Sequence, residues 1–273
     1  MIKIGFVDYY LSEWHANNYP AWIAQASAEL GVDCKVAYAW AERDVSPIDG
    51  VTTDEWCARY GAQRCLTLEE LCEASDVIVI LAPTNPETHL GYAKTVLKHG
   101  KRTYIDKTFA PDLKTALEIF CIAKQYNTPF FSTSALRYAD ELDSVPCPRS
   151  IFVTGGGSNL PEYAIHLAEM VVKKLGVGAS RVTAELRGDG YFFTVDYDDD
   201  RVATLIYAPK LPYTVYMSSR DKQEWRAVKS QFFNGLIRDM LNFFETGEVS
   251  FDTAETLEVA KLRELMLTAA NNQ

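Results

Sequence analysis

Val77-Ile78-Val79-Ile80-Leu81 is apolar without interruption. A strand buried on both faces reads this way, because helices covering both sides of a parallel sheet leave no face for polar side chains. Working outward, similar β-rich runs recur at residues 3–8, 34–40, 103–106 and 130–132. Between them the apolar spacing takes a helical period near residues 21–30, 54–60, 68–74, 87–98 and 113–126. Strands alternating with helices predict a parallel sheet with right-handed crossovers, a Rossmann-like arrangement.

After Ser134 the grammar changes. The stretch Ser144-Val145-Pro146-Cys147-Pro148 leads into one strand, one helix and then several strands joined by turns. Residues 191–197 and 202–207 flank Asp198-Asp199-Asp200-Arg201 and read as a hairpin with a solvated acidic tip. Residues 213–217 and 225–228 add strands, and residues 232–244 and 253–270 return to helical periodicity, with Gly247 as a stop. The fold class is therefore α/β: an N-terminal Rossmann-like parallel-sheet domain over residues 1–133, then a smaller α+β domain with a mainly antiparallel sheet over 134–273. A chain of 273 residues is long enough for both.

With 48% hydrophobic and 23% charged residues the composition is that of a globular protein. A formal net charge of −10 works against non-specific binding of polyphosphate backbones, so no nucleic-acid partner is expected. The opening Ile2-Lys3-Ile4-Gly5-Phe6-Val7 reads as a strand and not as a secretory leader, and the longest apolar run, Val77 to Ala82, is too short to cross a bilayer. No membrane association and a cytoplasmic location are expected. Six cysteines without a C-x-x-C pair and four histidines without metal spacing predict reduced thiols and no metal site.

Ligands of open α/β sheets bind beyond the carboxyl ends of the strands, and four stretches meet that condition. After the first strand comes Asp8-Tyr9-Tyr10-Leu11-Ser12-Glu13-Trp14-His15, where a dinucleotide fold places G-x-G-x-x-G. A carboxylate at Asp8 and rings at Tyr9 and Tyr10 obstruct a pyrophosphate, so a cofactor lies differently there or is absent. The second stretch, Ala82-Pro83-Thr84-Asn85-Pro86-Glu87-Thr88-His89, is a strand end, a turn and a helix start. The third, Tyr104-Ile105-Asp106-Lys107-Thr108, ends an apolar strand on a charged pair.

The fourth runs from Thr154-Gly155-Gly156-Gly157-Ser158-Asn159 into Leu160-Pro161-Glu162, a glycine-rich loop before a proline-led helix and a possible anion site. On that helix Glu162, His166 and Glu169 share one face. A carboxylate beside a histidine fixes its tautomer and raises its basicity, which suits acid/base work near neutral pH.

These stretches, in this order, resemble the Gfo/Idh/MocA family of NAD(P)-dependent sugar and cyclitol oxidoreductases. The resemblance rests on Ser75-Asp76-Val77-Ile78-Val79-Ile80, Pro83-Thr84-Asn85-Pro86 with His89, and Gly100-Lys101 leading to Asp106-Lys107-Thr108 in place of a Glu-Lys-Pro motif. It extends to Arg137 after the sixth strand, to Glu162 and His166 as an Asp-x-x-x-His-like pair, and to Phe243-Phe244-Glu245-Thr246-Gly247-Glu248. It implies that Lys107 contacts substrate and nicotinamide, and that His166 is the acid/base assisted by Glu162. The implied cofactor is NAD or NADP, near Asp8, Tyr10, Glu42, Pro83, Thr84, Asn85, His89 and Asp106. The implied substrate is small and polyhydroxylated, near Lys107, Arg137, Gly157 and Asn159.

The family's Lys-Pro bond is often cis, and threonine disfavours that geometry by about 2.5–4 kcal/mol, so Lys107 is expected to be redirected. Self-association is implied as well: Tyr191, Phe192, Phe193 and Tyr207 would supply an apolar sheet face, or pack on the domain's own helices. Two other functions stand beside an oxidoreductase: a silent relative that binds a metabolite, and a cofactor-free isomerase, lyase or hydrolase reusing Glu162 and His166, with a metal on Glu169.

Overall fold

The computed structural model spans Met1–Gln273 and carries the chain in two units, Met1–Thr133 with Ile237–Ser250, and Ser134–Leu236 with Phe251–Gln273. The first unit runs β1 (Ile2–Asp8), α1 (Trp14–Leu30), β2 (Cys34–Ala41), α2 (Thr53–Tyr60), β3 (Gln63–Arg64), α3 (Leu68–Ala74), β4 (Val77–Ile80), α4 (His89–Val96), β5 (Thr103–Ile105), α5 (Leu113–Tyr126) and β6 (Phe130–Phe131). All six strands are parallel, in the order β3-β2-β1-β4-β5-β6. The chain reverses its direction of sheet growth between β1 and β4, and that switch point opens a crevice at the strand carboxyl ends. Every residue of β4 is buried, as the apolar run requires.

Helix α1 begins at Trp14 and carries Pro20 inside it, whereas the sequence pattern starts the helix after that proline. The earlier start is made by Glu13, whose side chain caps the first turn. More familiar signals bound the others: Thr52 and Glu55 form a capping box on α2, and Asp112 caps α5, which ends at Asn127 in the left-handed conformation. The two-residue β3 is too short to leave a periodic signal. The helix expected over residues 87–98 is α4 alone, flanked by 3₁₀ turns at Pro86–Thr88 and Leu97–His99.

The second unit contains β7 (Ser150–Gly155), α6 (Leu160–Leu175), β8 (Ala179–Arg187), β9 (Gly190–Tyr197), β10 (Val202–Tyr207), β11 (Thr214–Ser218) and β12 (Gln223–Ala227), followed along the chain by α7 (Phe232–Thr246) and α8 (Ala254–Asn271). Its sheet order is β12-β11-β7-β10-β9-β8, antiparallel except where β7 pairs with β10. Ile151, Val153, Phe193, Val195, Leu205 and Met217 share a buried core with Leu167 and Val171 of α6 and Leu262 and Met266 of α8. The period of two separates the aromatics expected on one face: Phe193 and Tyr207 are buried, while Phe192 is 40% exposed.

Residues 237–250, beyond the expected boundary at 133/134, group with the first unit. Helix α7 ends there, and its last carbonyls need donors. Arg102 supplies them, donating to Phe244 O (2.6 Å) and Glu245 O (2.9 Å), while the Phe243 ring lies 5.1 Å from that of Phe131. No helix is long and apolar enough to cross a membrane.

Gly5 lets α3 approach β1, since a Cβ there would stand 2.3 Å from Ser75 Oγ and 2.8 Å from Leu71 Cδ2. Gly5→Ala is expected to destabilise the first unit by about 1–3 kcal/mol, the usual cost of overpacking a filled core. Thermal unfolding followed by circular dichroism checks this, and an unchanged midpoint would contradict the close approach.

Candidate functional site

The turn from β1 to α1 is built around two carboxylates. Glu13 lies at the N-cap of α1 and accepts from the amides of His15 (2.8 Å) and Ala16. The first amides of a helix have no partner within it and carry its positive end, so an acceptor there is stabilised by both effects. Asp8, 1% exposed at the end of β1, accepts through Oδ1 from the amides of Tyr9 (2.7 Å) and Ala82 (3.1 Å). It thereby ties β1 to the residue after β4, and Ala82 has a left-handed φ of 56° at that junction. Burial, then the negative charge of Glu13, pushes the Asp8 pKa well above the usual aspartate value, against the two amides that lower it.

A third carboxylate, Asp106, follows β5 and is equally buried. Its Oδ1 accepts from Tyr104 (3.0 Å) and Tyr19 (3.4 Å), and its Oδ2 lies 3.4 Å from His15 Nδ1, which is also 3.6 Å from Glu13 Oε2. Burial and then Asp106 lift the Tyr19 phenol well above its ordinary value, so Tyr19 is a donor here. Lys107 is 8% exposed, with Nζ 3.5 Å from Pro83 O. The Lys107–Thr108 peptide is cis.

The remaining residues considered for a cofactor have settled partners in the same unit. Exposed Glu42 accepts from Tyr92 (2.7 Å), and Tyr10 is half-buried, its phenol pKa raised by burial and partly lowered again by Thr84. Thr84 and Asn85 shape the turn after β4, where Asn85 Nδ2 donates to Glu87 Oε1 (3.0 Å). His89 is fully buried, with Nε2 2.6 Å from Leu81 O and Nδ1 3.0 Å from Phe109 O. Burial lowers its pKa and the two carbonyls oppose that shift. His89 therefore sits between the end of β4 and the loop after β5, with one ring nitrogen facing a carbonyl of each.

In the second unit Glu162 and His166 hydrogen-bond to different residues. Glu162 turns back to the helix cap, accepting from Ser158 (3.2 Å) and Asn159 (3.1 Å), while Asn159 Oδ1 accepts from the Glu162 amide. Ser134 Oγ instead meets His166 Nδ1 at 2.7 Å. Glu169 accepts from the Ser134 amide (3.0 Å) and from Arg137 Nε (2.5 Å), and Arg137 also reaches Glu255 (2.7 Å) with its guanidinium over the Phe251 ring. Burial disfavours the charge on Arg137, and the two glutamates more than offset it.

The glycines before α6 are required by close approach. At Gly156 a Cβ would lie 1.7 Å from Ala208 O, and at Gly157 2.2 Å from the Tyr163 ring. The hydroxyls of Tyr213 and Tyr207 donate to the carbonyls of Gly156 (3.3 Å) and Gly157 (3.1 Å).

Glu13, His15, Tyr19, Tyr104 and Ser134 are the site residues that sequence reasoning left unassigned. A glutamate is not among the favoured N-cap residues, and the pairs Ser134–His166 and His15–Asp106 are remote in sequence, so neither carries a local signal.

A pyrophosphate resting on the first turn of α1 does not fit this arrangement. The amides it would use are held by Glu13, and Asp8 adds a buried carboxylate with Oδ2 lacking a hydrogen-bond donor.

No family model matches the chain. An uncharacterized oxidoreductase of Escherichia coli (strain K12), YhhX, is 37% identical over 57 residues, a stretch covering 21% of this chain and 16% of that relative. Among solved structures, the UDP-N-acetylglucosamine 3-dehydrogenase GnnA of Acidithiobacillus ferrooxidans superposes with a TM-score of 0.75 at 14% identity, over 98% of this chain and 97% of its own. GenD2 of gentamicin A biosynthesis, solved in complex with NAD, gives 0.76 at 13% identity, over 100% and 95%. The chain thus shares its two-domain fold with these solved structures.

Two predictions follow from the buried charges. Because Asp8 has a raised native pKa, the folded protein keeps a proton at pH values where the unfolded chain has released it. Its contribution to stability therefore falls as pH rises from the ordinary aspartate range through the raised native value. Asp8→Asn retains an oxygen for both amides and removes the charge. The variant is expected to melt close to wild type at about pH 4 and above it at about pH 8, and equal melting throughout would refute the shift.

Arg137→Ala strands the buried Glu169 and is expected to cost about 3–5 kcal/mol in urea unfolding, with Arg137→Lys losing less. A variant as stable as wild type would show that the pair is not structural.

Proposed function

We propose that this chain is a divergent member of the Gfo/Idh/MocA oxidoreductases, acting on a small polyhydroxylated, sugar- or cyclitol-like substrate, with NAD or NADP as the redox partner. The observation that carries this reading is likeness of fold over essentially the whole chain to dehydrogenases, one of them solved with NAD. The misfit at α1 means that a dinucleotide would bind otherwise than by resting its pyrophosphate on the amides as they stand.

In this reading Lys107, at the carboxyl end of β5, holds a substrate oxygen. His166 moves the proton at Nε2, with its ring oriented by Ser134 at Nδ1. Glu162 acts on His166 only indirectly, by fixing the first turn of α6 together with Asn159. Arg137 serves as a positioning residue, holding Glu169 and through it the Ser134 amide. The reading also implies a cytoplasmic protein and association of copies through the sheet of the second unit, where Phe192 is the exposed member of the expected aromatics.

A second reading, a relative that binds its metabolite without redox turnover, is favoured by the carboxylates at α1. The two are separated by calorimetric titration with NADH and NADPH, followed by a screen of sugars and cyclitols for a substrate-dependent change in NAD(P)H absorbance. Lys107→Ala is expected to abolish that turnover while leaving the circular dichroism spectrum unchanged. Full activity in the variant removes Lys107 from the site, and absence of both binding and turnover in wild type moves the assignment to the second reading.

A further inference from the structure

Helix α1 presents its N-terminal amides at the carboxyl edge of the sheet, beside the switch point between β1 and β4. In folds of this topology those amides are the anion site. Here two oxygens of one carboxylate, Glu13, sit on two successive amides, those of His15 and Ala16. This is how two oxygens of a phosphate would sit, and the carboxylate is 7% exposed. Nearby, Asp8 is 1% exposed and its Oδ2 has no hydrogen-bond partner, so a buried polar oxygen at the end of β1 is left unsatisfied.

We propose that Glu13 is an internal occupant of the anion site of α1, and that a dinucleotide engages this helix only when the Glu13 carboxylate is displaced from the two amides. The proposal rests on the reading that this chain takes a dinucleotide. Two consequences follow from the charges. Binding is weak in the wild-type protein, because an incoming pyrophosphate must break two charge-assisted hydrogen bonds and then lie beside Asp8. Removing the charge at position 13 tightens binding without adding any contact, since it removes a competitor.

The test uses ADP-ribose, which carries the adenosine and both phosphates but no nicotinamide, so that binding is read separately from turnover. Calorimetric titration of the full-length wild type is compared with Glu13→Ser, in which serine, a favoured N-cap, keeps a hydroxyl acceptor for the helix. Glu13→Gln keeps an amide oxygen for the cap and serves if the serine variant loses its circular dichroism signal. The expected result is an affinity higher by about tenfold or more in the uncharged variant.

Equal affinity in wild type and variant overturns the proposal, as does the absence of binding in both. So does tight micromolar binding by wild type that the substitution leaves unchanged. A protein without turnover whose Glu13→Ser form gains ADP-ribose affinity retains this inference and loses the oxidoreductase reading. Turnover with affinity indifferent to Glu13 does the reverse.

Discussion

Unpaired amides at the start of a helix must find acceptors, and in this chain those of α1 find Glu13. Much of the first unit's ligand edge follows from that choice. Once a carboxylate stands there, the neighbouring Asp8 is more costly to ionise, and it is retained only by taking the amides of Tyr9 and Ala82. Those two bonds join the ends of β1 and β4, and His89 fastens the same place from the other side through Leu81 O. The strand ends at the switch point are therefore held by polar contacts that are internal to the chain. In a glycine-loop protein the same amides stay open for a phosphate.

The architecture was legible because burial leaves a periodic trace. The unbroken Val77–Leu81 run reads as a strand covered on both faces, and the alternation of strand and helix patterns around it points to a parallel sheet. The turn at Asp198-Asp199-Asp200-Arg201 was legible for the same reason, with polar residues between two alternating runs. What left no trace was anything specified by a single contact. The pairing of β3 with β2 involves two residues, and the start of α1 depends on one glutamate.

The candidate site was legible in its residue types and less so in its partnerships. Helix periodicity places Glu162, His166 and Glu169 on one face, and each makes hydrogen bonds to residues outside that trio. Asn159 and Ser158 draw Glu162 to the cap, Ser134 reaches His166 from the segment after β6, and Arg137 neutralises Glu169. A buried carboxylate without a counter-charge is more costly than a lost surface pair, so Arg137 is committed to Glu169 and Glu255 before any ligand is considered. The glycines before α6 show the same priority, since the room they leave is filled by Tyr163 and Ala208.

Identities of 13–14% alongside TM-scores near 0.75 show how the two kinds of information separate. A fold survives almost complete replacement of its sequence because many apolar choices satisfy the same burial pattern. A site does not, because each buried charge has few acceptable partners and each substitution changes what the others can hold. In this chain Asp8 and Glu13 stand at the turn from β1 to α1, with β1, α1 and β4 still in the order the fold requires. The amides at that edge are therefore occupied by two side chains of the chain itself.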